Sequence, residues 1–286
     1  MGSEPQIIDV QVHAYERDHP GRPWHDVLHG PPQVTGDDMV AAMDEVGVDG
    51  ALLVSPWTMY RYDADYALDV HQAHPDRFGL IKPIDTSRSD IAEIMAEWAA
   101  TPGAVGARII MNGFGDPDPE NPGINAVLTA GADTGLPINL LCWGSLPVVE
   151  QLAKRHPDTT MVVDHLGIPQ PFEPPPPPDP WRLLDPLLAM ARYENVVVKV
   201  SGACTLSHEP FPYPDIWPPL ERLFEAYGFD RLMWGTDWTR AVELLTYREG
   251  VDAFRLTDRL TDDERAALMG GTLTRIYGWA PATAGT

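Results

Sequence analysis

Residues 6–13 read QIIDVQVH, and the fold turns on how this stretch is understood. Apolar and β-branched residues alternate with Asp9, Gln11 and His13, the period-two pattern of a strand with one polar edge. Gln11 and His13 lie two apart and therefore face the same way. Two histidines at that spacing would form a pair of metal ligands, but here the first is a glutamine. The segment after it, HAYERDHPG (13–21), lacks the glycine-rich phosphate turn that a doubly wound nucleotide-binding sheet places after its first strand.

Seven more apolar, strand-like runs follow at 49–55, 78–84, 105–111, 136–142, 159–165, 195–201 and 230–237. Between them lie stretches with helical spacing, including 37–47, 63–74, 89–100 and 145–157. Strict alternation of strand and helix implies parallel strands with helical crossovers. Eight such units in 286 residues predict a (β/α)8 TIM barrel, a single domain over 1–286. One stretch departs from the alternation. GIPQPFEPPPPPDPW (167–181) can be neither helix nor inner strand, because proline lacks the amide donor and fixes φ. It follows the sixth strand and is expected as a stiff spacer or the edge of a lid.

The formal charge of −22 argues against nucleic acid and anionic membranes as partners, since both would repel the chain. The N-terminal MGSEPQ shows neither a basic region nor an apolar stretch, and no window approaches a membrane span. Position 6 after Met1-Gly2 is Gln6, not the Ser or Thr that myristoylation requires there. Cys142 and Cys204 are far apart in sequence, outside any metal spacing. The expectation is a cytoplasmic protein with free thiols, able to form a homo-oligomer.

In a barrel of this kind the C-terminal strand ends form the active site. Placed there are Gln11 and His13, Ser55, Lys82, Arg108 with Asn112, Cys142, His165, Lys199 with Ser201, and Asp237. Tyr60, Arg61 and Tyr62 follow the second strand and are within reach. Cys142 reads as a small buried hydrophobe more readily than as a nucleophile. An aspartate, two histidines and an arginine at one mouth are hard to explain by packing alone.

Four motifs, DVQVH (9–13), VVDHLGIP (162–169), VVVKVSG (196–202) and LMWGTDWT (232–239), resemble in order strands one, six, seven and eight of the amidohydrolase superfamily. The nearest resemblance is to the branch holding 2-pyrone-4,6-dicarboxylate lactonase and L-fuconolactonase, with the aminocarboxymuconate-semialdehyde decarboxylases as relatives. It covers residues 6–279, and LMGGTLTRIYGW (268–279) is similar to the closing helix of the group. The resemblance implies a hydrolase with Asp237 as the proton-handling carboxylate and His13 and His165 lining the site. Members that keep a metal bind it through the strand-one histidine pair, the strand-six histidine and the strand-eight aspartate. Lactonases of this branch can work without one. The chain departs at Gln11, and at Gly270-Gly271-Thr272, where relatives carry an Asn-Ala pair.

A carboxamide is a poor zinc ligand beside imidazole, yet His13, His165 and Asp237 could still hold one zinc. The favoured expectation is that no cofactor is required. Asp237 would activate water, with His13, His165 and Gln11 donating to the oxyanion. Ser55, Arg108 and Cys142 complete the expected substrate contacts, Arg108 facing a carboxylate on a lactone or, alternatively, an internal acid. The competing readings are a metal-dependent decarboxylase, a Schiff-base lyase using Lys82 or Lys199, and a non-catalytic ligand-binding barrel.

Overall fold

The computed structural model describes residues 5–111 and 117–282. Asn112 and the N-terminal tetrapeptide lie outside the described residues. Eight strands, β1 (Ile8–Val12), β2 (Gly50–Val54), β3 (Phe78–Pro83), β4 (Ala104–Ile110), β5 (Ile138–Leu141), β6 (Met161–Val163), β7 (Val196–Ser201) and β8 (Leu232–Gly235), form one sheet in the order 1 to 8. Every neighbouring pair from β1 to β8 is parallel. The helices around it are α1 (Gly36–Val46), α2 (Trp57–Tyr60), α3 (Asp65–Ala73), α4 (Ile91–Ala99), α5 (Pro122–Thr134), α6 (Leu146–Arg155), α7 (Leu184–Ala189), α8 (Trp217–Tyr227), α9 (Tyr247–Arg255), α10 (Asp262–Ala266) and α11 (Thr272–Tyr277).

Local sequence explains where several helices begin. Thr35, Thr246 and Thr261 each cap a helix, with Asp38, Glu249 and Glu264 returning the hydrogen bond. Each box satisfies backbone groups that the first helical turn leaves open. The larger apolar cluster lies between strands and helices. A smaller cluster fills the barrel with Ile8, Val10, Leu52, Val54, Ile81, Val162, Val197 and Met233, joined by Leu273 and Tyr277 of α11.

A carboxylate helps to close the ring between β8 and β1. Buried Asp9 accepts from Gln11 N (3.0 Å), Thr236 N (3.0 Å) and Thr236 Oγ1 (2.6 Å), and Asp237 N donates to Gln11 O at 3.1 Å. Burial raises the Asp9 carboxyl to about 6, against the bonds from Thr236 and Gln11. A Cβ on Gly235 would meet Asp9 Oδ1 at 2.9 Å and Val10 at 2.8 Å, so only glycine allows the approach. The pairing of β1 with β2 slips between Asp9 and Val12. Val10 accordingly belongs to the inner cluster and Val12 to the outer one. The slip re-aims the end of the strand, as bulges do, and Gln11 and His13 point into the mouth.

Along the helices no described segment is long and apolar enough to cross a membrane.

Candidate active site

Two strands end in backbone that is costly for their residues. His165 (φ 52°) and Leu166 (φ 61°) follow β6, and Asp237 (φ 52°) follows β8. Left-handed geometry at non-glycine residues persists where the surroundings over-determine it, commonly at working sites. Here it turns two polar side chains toward the barrel axis immediately after their strands.

From Lys199 a chain of donors fixes the orientation of each neighbour. The ammonium only donates, so the Gln11 oxygen faces it, with Nζ to Oε1 at 2.8 Å. The Gln11 amide nitrogen therefore faces His13 Nε2, at 3.3 Å. On the far side of the ring, His13 Nδ1 lies 2.7 Å from Val54 O. A carbonyl can only accept, so Nδ1 carries the proton and Nε2 of the neutral ring is an acceptor. In that tautomer His13 presents an acceptor, not a donor, to the mouth. Gln11 is fully buried, and its amide couples Lys199 to His13.

His165 has the same tautomer for a different reason. Arg108 Nη2, a permanent donor, stands 3.4 Å from His165 Nε2. That leaves Nδ1–H to donate to Ser201 Oγ at 2.9 Å. Burial lowers the imidazole to about 3, despite Asp237 and Asp164 nearby. The ring is neutral at physiological pH. Beneath it lies an ion triad inside the barrel. Asp164 takes Arg108 Nε at 2.7 Å and Lys199 Nζ at 3.1 Å. Burial pushes the Asp164 carboxyl up, but Lys199 and Arg108 outweigh it and bring it to about 2. Lys199 itself is lowered by burial, against the pull of Asp164.

Asp237 is the second carboxylate. Its Oδ2 is bound by Arg240 Nε. Its Oδ1 lies 3.4 Å from His13 Nε2 and accepts no hydrogen bond among the described residues. Burial works to raise this carboxyl, yet the Arg240 guanidinium outweighs it and holds it far below the usual carboxylate range. Arg240 continues to Pro171 O (Nη1, 2.8 Å) and Gln170 Oε1 (Nη2, 3.5 Å). A Cβ on Gly202 would stand 2.9 Å from Arg240 Nη2 and 2.6 Å from Gln170 Oε1. The absence of a side chain there makes room for the contact.

The structure thus joins Gln11, His13, Arg108, His165, Lys199, Ser201 and Asp237, and employs the other expected residues elsewhere. Ser55 Oγ donates to Asp63 O at 2.8 Å, tying down the loop after β2 instead of reaching the mouth. Cys142 lies in the apolar layer under the helices, where burial pushes its thiol well up. Lys82 lies over the Trp98 ring of α4, outside the barrel, and Lys199 is spent on Asp164 and Gln11. Neither fits the Schiff-base reading. Arg61 lies over Trp57 and Tyr60 accepts from Glu16 N. Tyr62 borders a separate cleft of about 440 Å³ with Asp85 and Asn121.

Sequence reasoning passed over Asp9, Asp164, Gln170 and Arg240. A signal for Asp164 existed. Two cations within apolar strands, Arg108 and Lys199, require a buried acid, and Asp164 directly precedes His165.

The donor set does not fit a divalent metal. Among the described residues no group of three or more His, Cys, Asp or Glu could hold one. Both imidazole Nε2 atoms and one Asp237 oxygen already face a donor: the Gln11 amide on His13 Nε2, Arg108 on His165 Nε2, and Arg240 on Asp237 Oδ2. Three cations, Arg108, Lys199 and Arg240, stand against the carboxylates of Asp164 and Asp237.

An eight-stranded parallel barrel with polar strand ends of this kind defines a class before it defines a substrate. The amidohydrolase family model matches residues 8–279, and the chain belongs to that family of enzymes. It is 26% identical over 233 residues to an L-fucono-1,5-lactonase from Burkholderia ambifaria, covering 75% of each chain. To a 4-sulfomuconolactone hydrolase from Hydrogenophaga intermedia it is 25% identical over 268 residues, covering 87% of this chain and 80% of that one. A solved amidohydrolase from Burkholderia multivorans superposes with a TM-score of 0.78 at 22% identity, covering 96% of this chain and 100% of that one.

Proposed function

We propose that this protein opens a lactone or a similarly activated ester by attack of water, with Asp237 as the group that takes the proton. The observation that carries the reading is Asp237 Oδ1. It is buried and charged, accepts no hydrogen bond among the described residues, and faces the mouth beside His13 Nε2. A buried acceptor without a donor is rare enough to require an explanation, and a water proton supplies one. As water oxygen bonds to the carbonyl carbon, its proton passes to Asp237. The ring C–O bond then breaks, and the leaving oxygen receives the proton. Arg108 supplies positive potential for the oxyanion, in place of the two histidines.

An ester or lactone suits this machinery better than an unactivated amide. A carboxylate is a weak base toward free water, and metal-lowered water pKa is not available from this donor set. The relatives named as a fucono-lactonase and a sulfomuconolactone hydrolase support the same choice. Small-molecule turnover in the cytoplasm, without a required cofactor, completes the reading.

Asp237→Asn keeps the shape and removes the base. A panel of γ- and δ-lactones followed by pH-stat should show a loss of at least ~100-fold in kcat for that variant. A folded variant with near-normal kcat would sink the assignment.

A further inference from the structure

Asp237, His165 and His13 are almost sealed from solvent, at 1%, 3% and 5% exposure. Arg240 is one of the side chains that hold the seal in place. Arg240 binds Asp237 Oδ2 on one side and Pro171 O and Gln170 Oε1 on the other. Its guanidinium also lies 5.4 Å from the Phe172 ring. Phe172 packs at 6.3 Å from Trp143, whose ring meets His165 edge-on at 6.2 Å. The start of the proline-rich segment is thereby drawn over the mouth, and Asp237 is held by a cation that a base must shed.

We infer that Arg240 is a specificity-determining residue: an acid group on the substrate takes the place of Asp237 Oδ2 on its guanidinium, which admits the substrate and releases Asp237 in one exchange. This rests on the lactone-hydrolase reading above, and it moves acid recognition from Arg108, which the barrel consumes, to Arg240.

Charge and geometry both favour the exchange. Arg108 and Lys199 share Asp164, whereas among the described residues Arg240 pairs with no carboxylate but Asp237. A neutral substrate that parted Arg240 from Asp237 would leave both charges buried and unpaired, a costly state. An acidic one brings the replacement anion with it. The guanidinium can receive a carboxylate through two parallel N–H donors. The backbone beside Arg240 is confined, since a Cβ on Gly30 would stand 2.2 Å from Thr239 O. Movement therefore belongs to the arginine side chain and to the neutral acceptors of 170–171.

Three proteins test the inference: wild type, Arg240→Gln and Arg240→Lys, each checked for folding by circular dichroism. The substrates are 5-oxotetrahydrofuran-2-carboxylate, a γ-lactone acid, and its carboxamide. The acid-to-carboxamide ratio of kcat/KM should fall at least ~10-fold in Arg240→Gln, mostly through KM, with partial recovery in Arg240→Lys. Equal losses on both substrates would make Arg240 merely structural and overturn the inference. Calorimetry with tetrahydrofuran-2-carboxylate, a ring acid with no ester to cleave, separates the two readings. Binding that requires Arg240 or its lysine replacement supports the inference even if no lactone is turned over. Absent binding to wild type, or equal binding to all three proteins, refutes it even if lactones are hydrolysed.

Discussion

Replacing Asp164 by asparagine should cost the protein more than any other single change at the mouth. Asp164 is fully buried between Arg108 Nε at 2.7 Å and Lys199 Nζ at 3.1 Å. Asparagine preserves volume but strands both cations, and its NH2 must face one of them. Removing one member of a buried ion pair typically costs about 3–5 kcal/mol, because the partner stays desolvated and uncompensated. For a chain of this size that corresponds to a drop in Tm of ~5–8 °C. The pH dependence carries a second signature. The carboxyl falls from its ordinary 3.8 to about 2 in the folded protein. Its contribution is therefore complete above pH 3.8 and is lost as pH falls toward 2, a limb that Asp164→Asn should lack. Urea unfolding of Asp164→Asn, Lys199→Met and the double variant measures the coupling directly. Lys199→Met removes one of the stranded cations, so the double variant should be more stable than the sum of the singles predicts, by at least ~1 kcal/mol. A cost for Asp164→Asn below ~1 kcal/mol, with additive singles, would refute the reasoning; it would mean that water reaches the triad and screens it.

The neutral His165 gives a further pH test. Its imidazole is lowered from 6.5 to about 3 by burial, so the unfolded chain binds its proton first. This stability is present above pH 6.5 and is lost as pH falls toward 3, by ~5 kcal/mol if the shift is fully expressed. In His165→Gln that part of the acid limb should flatten, and an unchanged profile would show that the ring is protonated in the fold. Metal removal is the remaining test: exhaustive chelation should leave lactone turnover as it was. One zinc per chain, lost together with activity and restored with it, would overturn the account of the donor set.

Periodicity in the sequence was enough for the barrel. Eight apolar runs alternating with helical ones leave few arrangements in which every strand buries both faces, and strand ends then converge whatever the loops do. Placing His13, His165 and Asp237 near one another followed from that geometry alone. What each side chain does there depended on contacts between residues far apart in the chain. Lys199 turns the Gln11 amide from 188 positions away, and no local pattern encodes the direction of an amide. The bulge within Asp9–Val12 depends on the ring closing against β8, where Gly235 makes room for the Asp9 carboxylate. Arg108 was legible as a cation at the mouth, but whether it met substrate or an internal acid rested on the side that Asp164 takes. Arg240 was hidden for the opposite reason. An arginine three residues after Asp237 reads as an ordinary loop cation until Gly202, Gln170 and Pro171 are seen to hold it over the carboxylate. Hydrophobic burial is periodic along the chain and can be read from it; the pairing of buried charges is settled only by which strands meet.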